Sequence, residues 1–453
     1  MRLRVRHPGV LVTALWLGCG TGLIGCGVDD DVPCAHTVCA IRDLSCVVRT
    51  SQVVACQRGE AAAVPDVRYL DAAAVLAELE VAEAADPPTP QQEQDLADAL
   101  RVDALFGLMP DDYSPSQLSA DQIANVGAYY DRRTRGITII TDHVGSDPER
   151  LYTLLVHELV HFYQDREHDL QALSKQHATT LTRALGLRAV TEGEAELYED
   201  LAHLELDGLT ANDVSWTSYF DQLQRDRLEL AQQSETPAVD VWGLFPYAWG
   251  EPLMLDAWRS GPGRDIAAVY EQPPVSVRQA MAGFGSWPHA FPNDDGAFDP
   301  VAMPVLPEAY VPVSAGHASV WLVNACLQRT GQGGLWSAVV DTISAEVVSG
   351  FRHEPSQGVV GFWRIRTTDA NGLNDAFLDG QWEPWLSEPP PSDARFLVRI
   401  VDGDVLLVAT SEELDAYAVE SAIEGWQSPD EAFGTSDDTA SSRWRRGRET
   451  WAP

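Results

Sequence analysis

Residues 154–162 read Leu-Leu-Val-His-Glu-Leu-Val-His-Phe. Two histidines four apart share one face of an α-helix, because about 3.6 residues complete a turn. Leu154, Leu155, Val156, Leu159, Val160 and Phe162 surround that face, so a helix over 148–164 must be buried. Its imidazoles then need partners inside the protein. One solution is a pair of core histidines hydrogen-bonded to separate neighbours. The other is that both hold one cation, for which His-Glu-x-x-His is the required spacing. His157 and His161 reach the ion, while Glu158, about 100° round the helix, reaches a water beside it without becoming a ligand. A bound cation lowers the pKa of that water towards ~7, and Glu158 takes its proton. Histidine is scarce, 11 in 453 residues, which makes the pairing informative.

A catalytic zinc takes three protein ligands and leaves one position open. Glu167 stands six after His161, Gln164 stands where a glycine would be needed, and His168 is one residue out of step, so the metzincin spacing is not met. The better source is Thr191-Glu192-Gly193-Glu194-Ala195-Glu196-Leu197-Tyr198. Glu192 and Glu196 are four apart on an expected helix, so one face carries both carboxylates. Glu192 is placed to ligate and Glu196 to hydrogen-bond a ligand histidine, fixing its tautomer. The competing reading of such an acidic run is a solvated helix face.

HExxH followed about 30 residues later by a Glu-Gly-x-Ala helix resembles the gluzincin group of metallopeptidases. The resemblance implies a zincin-like domain with His157, His161 and Glu192 as Zn2+ ligands and Glu158 as general base. It is closer to a set of exported bacterial proteins of that group. The shared pieces are Tyr129-Tyr130-Asp131, Gln164-Asp165, Asp169-Leu170, Phe245-Pro246-Tyr247 with Gly250, and Tyr270 with Pro273-Pro274-Val275-Ser276, covering 126–282. The chain departs from the pattern at Ala280-Met281-Ala282-Gly283, where Leu-His-Pro is expected, and at Pro252, which implies a kink or break in a helix. Gluzincins commonly use Tyr or His as donor to the oxyanion. Tyr247 is the first candidate, with His289 and His317 behind it. The hairpin expected over Val126–Ile140, turning at Asp131 to Gly136, supplies an edge strand for an extended substrate, as metallopeptidases of this type do.

The amino terminus is an address. Arg2, Arg4 and Arg6 precede a short apolar stretch, Val10 to Leu17, too short to span a bilayer stably. Leu23-Ile24-Gly25-Cys26 resembles the bacterial lipobox, which implies cleavage after residue 25 and a lipid on Cys26; Trp16-Leu17-Gly18-Cys19 is a poorer match. The expected location is the bacterial envelope, at the outer membrane or periplasmic face, with ordinary secretion as the alternative. Cys34, Cys39, Cys46 and Cys56 allow three pairings, and in an exported chain they are read as two disulfides. A four-cysteine zinc site lacks the CxxC spacing. Cys326 is left over in an apolar run, as a buried thiol.

Domain boundaries follow as 1–25 leader, 26–60 cysteine-rich segment, 61–426 catalytic domain with a carboxy-terminal extension, and 427–453 polar tail. Within the domain, 61–108 reads as helical, as do segments around 172–187, 189–207, 245–282 and 317–330. From 335 to 410 helix and strand mix, with a hairpin of Phe396–Ile400 and Val405–Ala409. The expected class is α+β, mostly helical, with a small sheet or hairpin beside the histidine helix. A formal charge of −37 (31 Lys+Arg against 68 Asp+Glu) argues against nucleic acid as a partner. Gly331-Gln332-Gly333-Gly334 lacks the Lys-Ser/Thr of a phosphate loop, and no Gly-x-Ser-x-Gly elbow occurs. The expected function is therefore a zinc-dependent peptidase acting on a protein or peptide, tethered to the membrane through lipid. Two alternatives are a non-catalytic envelope lipoprotein that keeps the zincin fold as a binding module, and a zinc hydrolase of another amide.

Overall fold

The apolar run around His157 is the middle of a 21-residue helix, Pro148–His168, in the computed structural model of the chain. Asp147 caps it by accepting from the Glu149 amide, and Pro148 sits in the first turn, where a missing N–H costs little. The described residues are 34–427 apart from 86, 88, 111, 115, 118–125, 179–180, 235, 262–263, 284–301, 317–318, 330–341, 380–395 and 412. The leader with Cys26, the candidate donors His289 and His317, the Gly331–Gly334 turn and residues 428–453 lie outside them.

The first half of the chain runs α1 (Leu44–Arg58), β1 (Asp66–Leu70), α2 (Ala72–Ala85), α3 (Pro90–Leu105), β2 (Ala128–Asp131), β3 (Gly136–Ile140), then α4 (Pro148–His168). There follow α5 (Leu170–His177), α6 (Leu181–Leu206), α7 (Trp216–Gln232), α8 (Pro237–Ser260), α9 (Arg264–Glu271) and α10 (Val277–Ala282). The rest is β4 (Met303–Val305), β5 (Tyr310–Gly316), α11 (Val320–Arg329), β6 (Ile343–His353), β7 (Gly358–Thr367), α12 (Ala370–Asp379), β8 (Phe396–Val401), β9 (Asp404–Thr410), α13 (Ala416–Ser421) and β10 (Gly425–Gln427). The class is α+β, rich in helix with small sheets, as the sequence predicts.

Three strands in the order β1-β3-β2 lie beside α4. Tyr130, Ile137 and Ile139 of this sheet pack with Tyr152, Leu155, Val156 and Leu159 of α4 in one apolar cluster. β3 is the central strand, parallel to β1 and antiparallel to β2, which leaves the outer edge of β2 without a strand partner among the described residues. The expected hairpin is thus present, but β1 falls inside a stretch read as helix. Its five residues gain a partner only by parallel pairing with β3, 70 residues further on, and that pairing has no local signature.

α1 joins the same cluster through Val47, Val54 and Ala55, so the cysteine-rich segment packs directly onto α4. The expected two disulfides are present, and of the three possible pairings the chain uses Cys34–Cys56 and Cys39–Cys46; Cys326 is a buried thiol outside them. The expected break in the helical region after α4 falls before Leu181, so that α6 is one continuous 26-residue helix. α8 likewise runs unbroken through both Pro246 and Pro252. Apolar side chains of α8 are buried on several sides, against α6, α7 and α11, which offsets the two lost amide donors. Further along, the mixed region is a five-stranded antiparallel sheet, β5-β6-β7-β9-β8, covered by Val102 and Phe106 at the end of α3 and by α11.

Among the described residues no helix is long and apolar enough to cross a membrane.

Candidate metal centre

α4 and α6 pack side by side, and this brings His157, His161 and Glu192 together in the interior, all under 10% exposed. The Nε2 atoms of His157 and His161 are 3.2 Å apart. Glu192 Oε2 lies 3.5 Å from the first and 3.4 Å from the second. Donors about 2.0–2.2 Å from a tetrahedral ion sit about 3.3–3.6 Å from one another. The three atoms therefore form one face of such a coordination shell, and the group can hold a metal ion.

The hydrogen-bond network assigns the tautomers. His157 Nδ1 donates to Glu199 Oε2 at 3.1 Å, and His161 Nδ1 donates to Gln164 Oε1 at 2.9 Å. The Gln164 amide orientation is set by its own N–H groups, which donate to Thr191 O and to Glu194 Oε2. With both Nδ1 hydrogens used, both Nε2 lone pairs converge on the point that Glu192 also faces. Positive charge is favoured there. Burial pushes His157 down, but hydrogen bonds with Glu192 and Glu199 and the Glu199 charge outweigh it and hold its pKa well above the ordinary histidine value. Burial pushes Glu192 up, yet the His161 charge and the two histidine hydrogen bonds hold it well below the carboxylate range.

Glu158 lies beside this trio. Its Oε2 is buried with no hydrogen-bond partner among the described residues. Burial raises its pKa against the pull of His157 and His161. An unpartnered buried carboxylate oxygen next to converging donors is what a general base would present. Tyr247, from α8, has its phenol within the fields of Glu192, Arg188, Glu196 and Glu158, and burial holds its pKa well above the ordinary value, so it stays a donor. Arg227 from α7 lies over its ring, 5.9 Å from the centroid.

Glu196 lies 3.6 Å from His157 Nδ1, further than Glu199 at 3.1 Å. Glu199 is the group that fixes the tautomer. Seven residues after Glu192 it returns within about 20° of the same helix face, whereas a spacing of four misses by about 40°. The two carboxyls divide the charge. Burial raises Glu199, but the hydrogen bond and charge of His157 outweigh it and lower its pKa, while burial and then the Glu199 charge push Glu196 up to about 8. The spacing of 192, 196 and 199 in the sequence carries this stripe.

Of the other supporting residues, Tyr130, Gln164, Asp165 and Tyr270 belong to the pieces of the resemblance, while Arg58 carries no local signal. Glu194 points away from Glu192 and accepts from Gln164, from Tyr270 OH at 2.7 Å and from Arg58 of α1, whose side chain is 3% exposed. Asp165 accepts from Tyr130 OH at 2.8 Å, tying β2 to α4. His168 stays outside the trio and stacks on Tyr270, with ring centroids 3.9 Å apart. No protein-family model, curated protein or solved structure matches this chain.

Proposed function

We propose that the chain is a zinc-dependent peptidase of gluzincin type, exported and anchored to the bacterial envelope through Cys26. The convergence of His157 Nε2, His161 Nε2 and Glu192 Oε2 at 3.2–3.5 Å carries this reading. Two neutral imidazoles and one carboxylate suit zinc, and three such ligands leave one position open for chemistry. The ion, when bound, polarises a carbonyl and acidifies water.

The protein residues do the rest. Glu199 and Gln164 hold the two imidazoles in the ligating tautomer. Glu158 takes a proton from the attacking water on its unpartnered Oε2 and passes it to the leaving amine; its raised pKa suits both halves of that transfer. Tyr247 donates its phenolic hydrogen to the oxygen on which negative charge develops. The outer edge of β2, which has no strand partner among the described residues, offers backbone groups to an extended peptide.

The test is Glu158→Gln in the full chain. It should keep its metal, read by elemental analysis, and lose about 10²–10⁴-fold or more in peptide hydrolysis. Retained turnover would overturn the mechanism.

A further inference from the structure

Residues 34–60 hold both disulfides and are fastened to the two helices that supply the candidate ligands. The fastening has two ends. At one, Glu205 of α6 accepts from the His36 amide at 3.1 Å and from the Gln57 side-chain amide at 3.2 Å. With its N–H groups so used, Gln57 accepts from His36 Nε2 at 3.0 Å, and Tyr152 of α4 donates to His36 Nδ1 at 2.9 Å. At the other end Arg58, its side chain 3% exposed, meets Glu167 of α4 at 3.2 Å and Glu194 of α6. Between the ends, Tyr163 of α4 donates to the Ser51 carbonyl of α1 at 3.0 Å.

His157 and His161 lie between Tyr152 and Glu167 on α4, and Glu192 is two residues from Glu194 on α6. One end also reaches a ligand through side chains alone. Arg58 donates to Glu194, Glu194 accepts from Gln164 at 3.0 Å, and Gln164 accepts from His161 Nδ1 at 2.9 Å. Both ends depend on Cys34–Cys56. Cys56 directly precedes Gln57 and Arg58, and Cys34 lies two residues before His36, so this bond ties together the two strands that carry the fastenings. It is also the more accessible disulfide: Cys34 is exposed and Cys56 part-buried, whereas Cys46 of the other is buried.

We infer that residues 34–60 are a redox-controlled clamp on the metal centre: with Cys34–Cys56 closed the centre holds its ion tightly, and with that bond reduced it lets the ion go. This rests on the metal centre proposed above and not on which bond is hydrolysed there. The reductant is a dithiol. One of its thiolates attacks Cys34 Sγ, the S–S bond breaks, and Cys56 leaves as a thiolate. The second thiolate displaces Cys34 from the mixed disulfide, so that the dithiol is oxidised to its own disulfide and its two protons end on Cys34 and Cys56. The His36 strand is then no longer tied to the end of α1. Arg58 loosens from Glu194, and the support behind His161 goes with it. An exported chain thus fills its centre in an oxidising compartment.

The test needs no turnover. Zn2+ affinity is read by chelator competition in the full disulfide-bonded chain, in the same chain after a water-soluble phosphine, which is itself oxidised to the phosphine oxide with oxygen from water, and in Cys34→Ser/Cys56→Ser. Affinity should fall about 10–100-fold in the second and third, the range for losing a group behind a ligating histidine, with the helical circular dichroism kept. The phosphine should change nothing further in Cys34→Ser/Cys56→Ser, which separates reduction of the bond from any direct action on the metal. Cys39→Ser/Cys46→Ser should keep its affinity within about threefold, because that bond holds the opposite end of α1 from Arg58. Unchanged affinity after reduction would overturn the clamp. So would a loss that appears only together with loss of the helical signal, because the bond would then hold the fold and not the centre. A disulfide-bonded chain that binds no Zn2+ would overturn the centre and the clamp together, whereas the two failures above leave the centre standing.

Discussion

His157 and His161 turn their Nε2 atoms towards each other at 3.2 Å, with both Nδ1 hydrogens already donated elsewhere. Two lone pairs aimed at one point repel unless a proton or a metal ion lies between them, and the raised pKa of His157 reflects the first of these. The rest of the local structure enforces this arrangement. Glu199 and Gln164 hold the rings, and Gln164 is itself fixed by Thr191 and Glu194 on the neighbouring helix. The trio is therefore organised by side chains that would not touch an ion held there, and their removal should be visible in metal affinity.

Glu199→Gln should weaken metal binding about 10–100-fold, the usual effect of removing a carboxylate behind a ligating histidine. Glu196→Gln should change it by only a few-fold at pH 7, because Glu196 is held protonated up to about pH 8 and lies 3.6 Å from the imidazole. Competition with a chelator on folded protein measures both. Equal losses in the two variants would contradict the division of charge described above.

The centre was legible in the sequence because its parts are local: His157 and His161 share one helix, and Glu192 shares another with the carboxylates behind it. The sequence reading names Glu196 as the partner of a ligand histidine; the spacing of seven from Glu192 is the signal that points to Glu199 instead. Arg58 and β1 were not legible, and Tyr270 entered only as a piece of the resemblance, without a role. Each meets its partner across many residues, Arg58 reaching Glu194 and Tyr69 in β1 pairing with Ile139, and nothing near them in the chain announces that contact. Pro246 and Pro252 argue for a broken helix on propensity, and tertiary burial overrides them.

The Glu-Gly pair in α6 has a packing reason. α6 and α8 cross at Gly193 and Gly250, where a Cβ on Gly193 would run into the Gly250 backbone and one on Gly250 would fall 2.9 Å from the Gly193 Cα. Gly193→Ala must push the helices apart, and should cost about 1–3 kcal/mol or more. Because Glu192 precedes Gly193 and Tyr247 sits one turn from Gly250, metal affinity should fall with stability. A urea unfolding midpoint that does not move would refute the close crossing.

Arg58 links the disulfide-bonded segment to the centre. Its side chain and that of Glu194 are 3% and 1% exposed. Arg58→Met leaves Glu194 charged and buried, with only Gln164 and Tyr270 as donors, and should destabilise the fold by about 3–5 kcal/mol. Replacing Glu194 by Gln in the same chain should recover most of that loss, since the cost lies in the unpaired charge. Denaturant titration of the two variants decides it: a double variant as unstable as Arg58→Met would mean that the arginine acts through packing.

Glu251 supplies a pH signature away from the metal ligands. It is fully buried on α8, and neither carboxyl oxygen accepts from a donor among the described residues. Burial, with the charges of Asp200 and Glu196, holds its pKa well above the ordinary carboxylate value. A carboxyl whose folded pKa is raised contributes its full stability below the unfolded value, about 4.3, and loses it as pH rises through the folded value. Above its unfolded pKa the unfolded chain has released a proton that the folded chain keeps, so the folded form becomes relatively less favourable. Glu251→Gln keeps a donor towards Asp200 and cannot ionise. Thermal melts of wild type and variant should lie close together near pH 5 and separate steadily to about pH 9, with the variant the more stable at the alkaline end. Glu196 and Asp200 titrate in both proteins, so much of their contribution drops out of the difference. Parallel curves across that range would mean that Glu251 is already ionised in the fold.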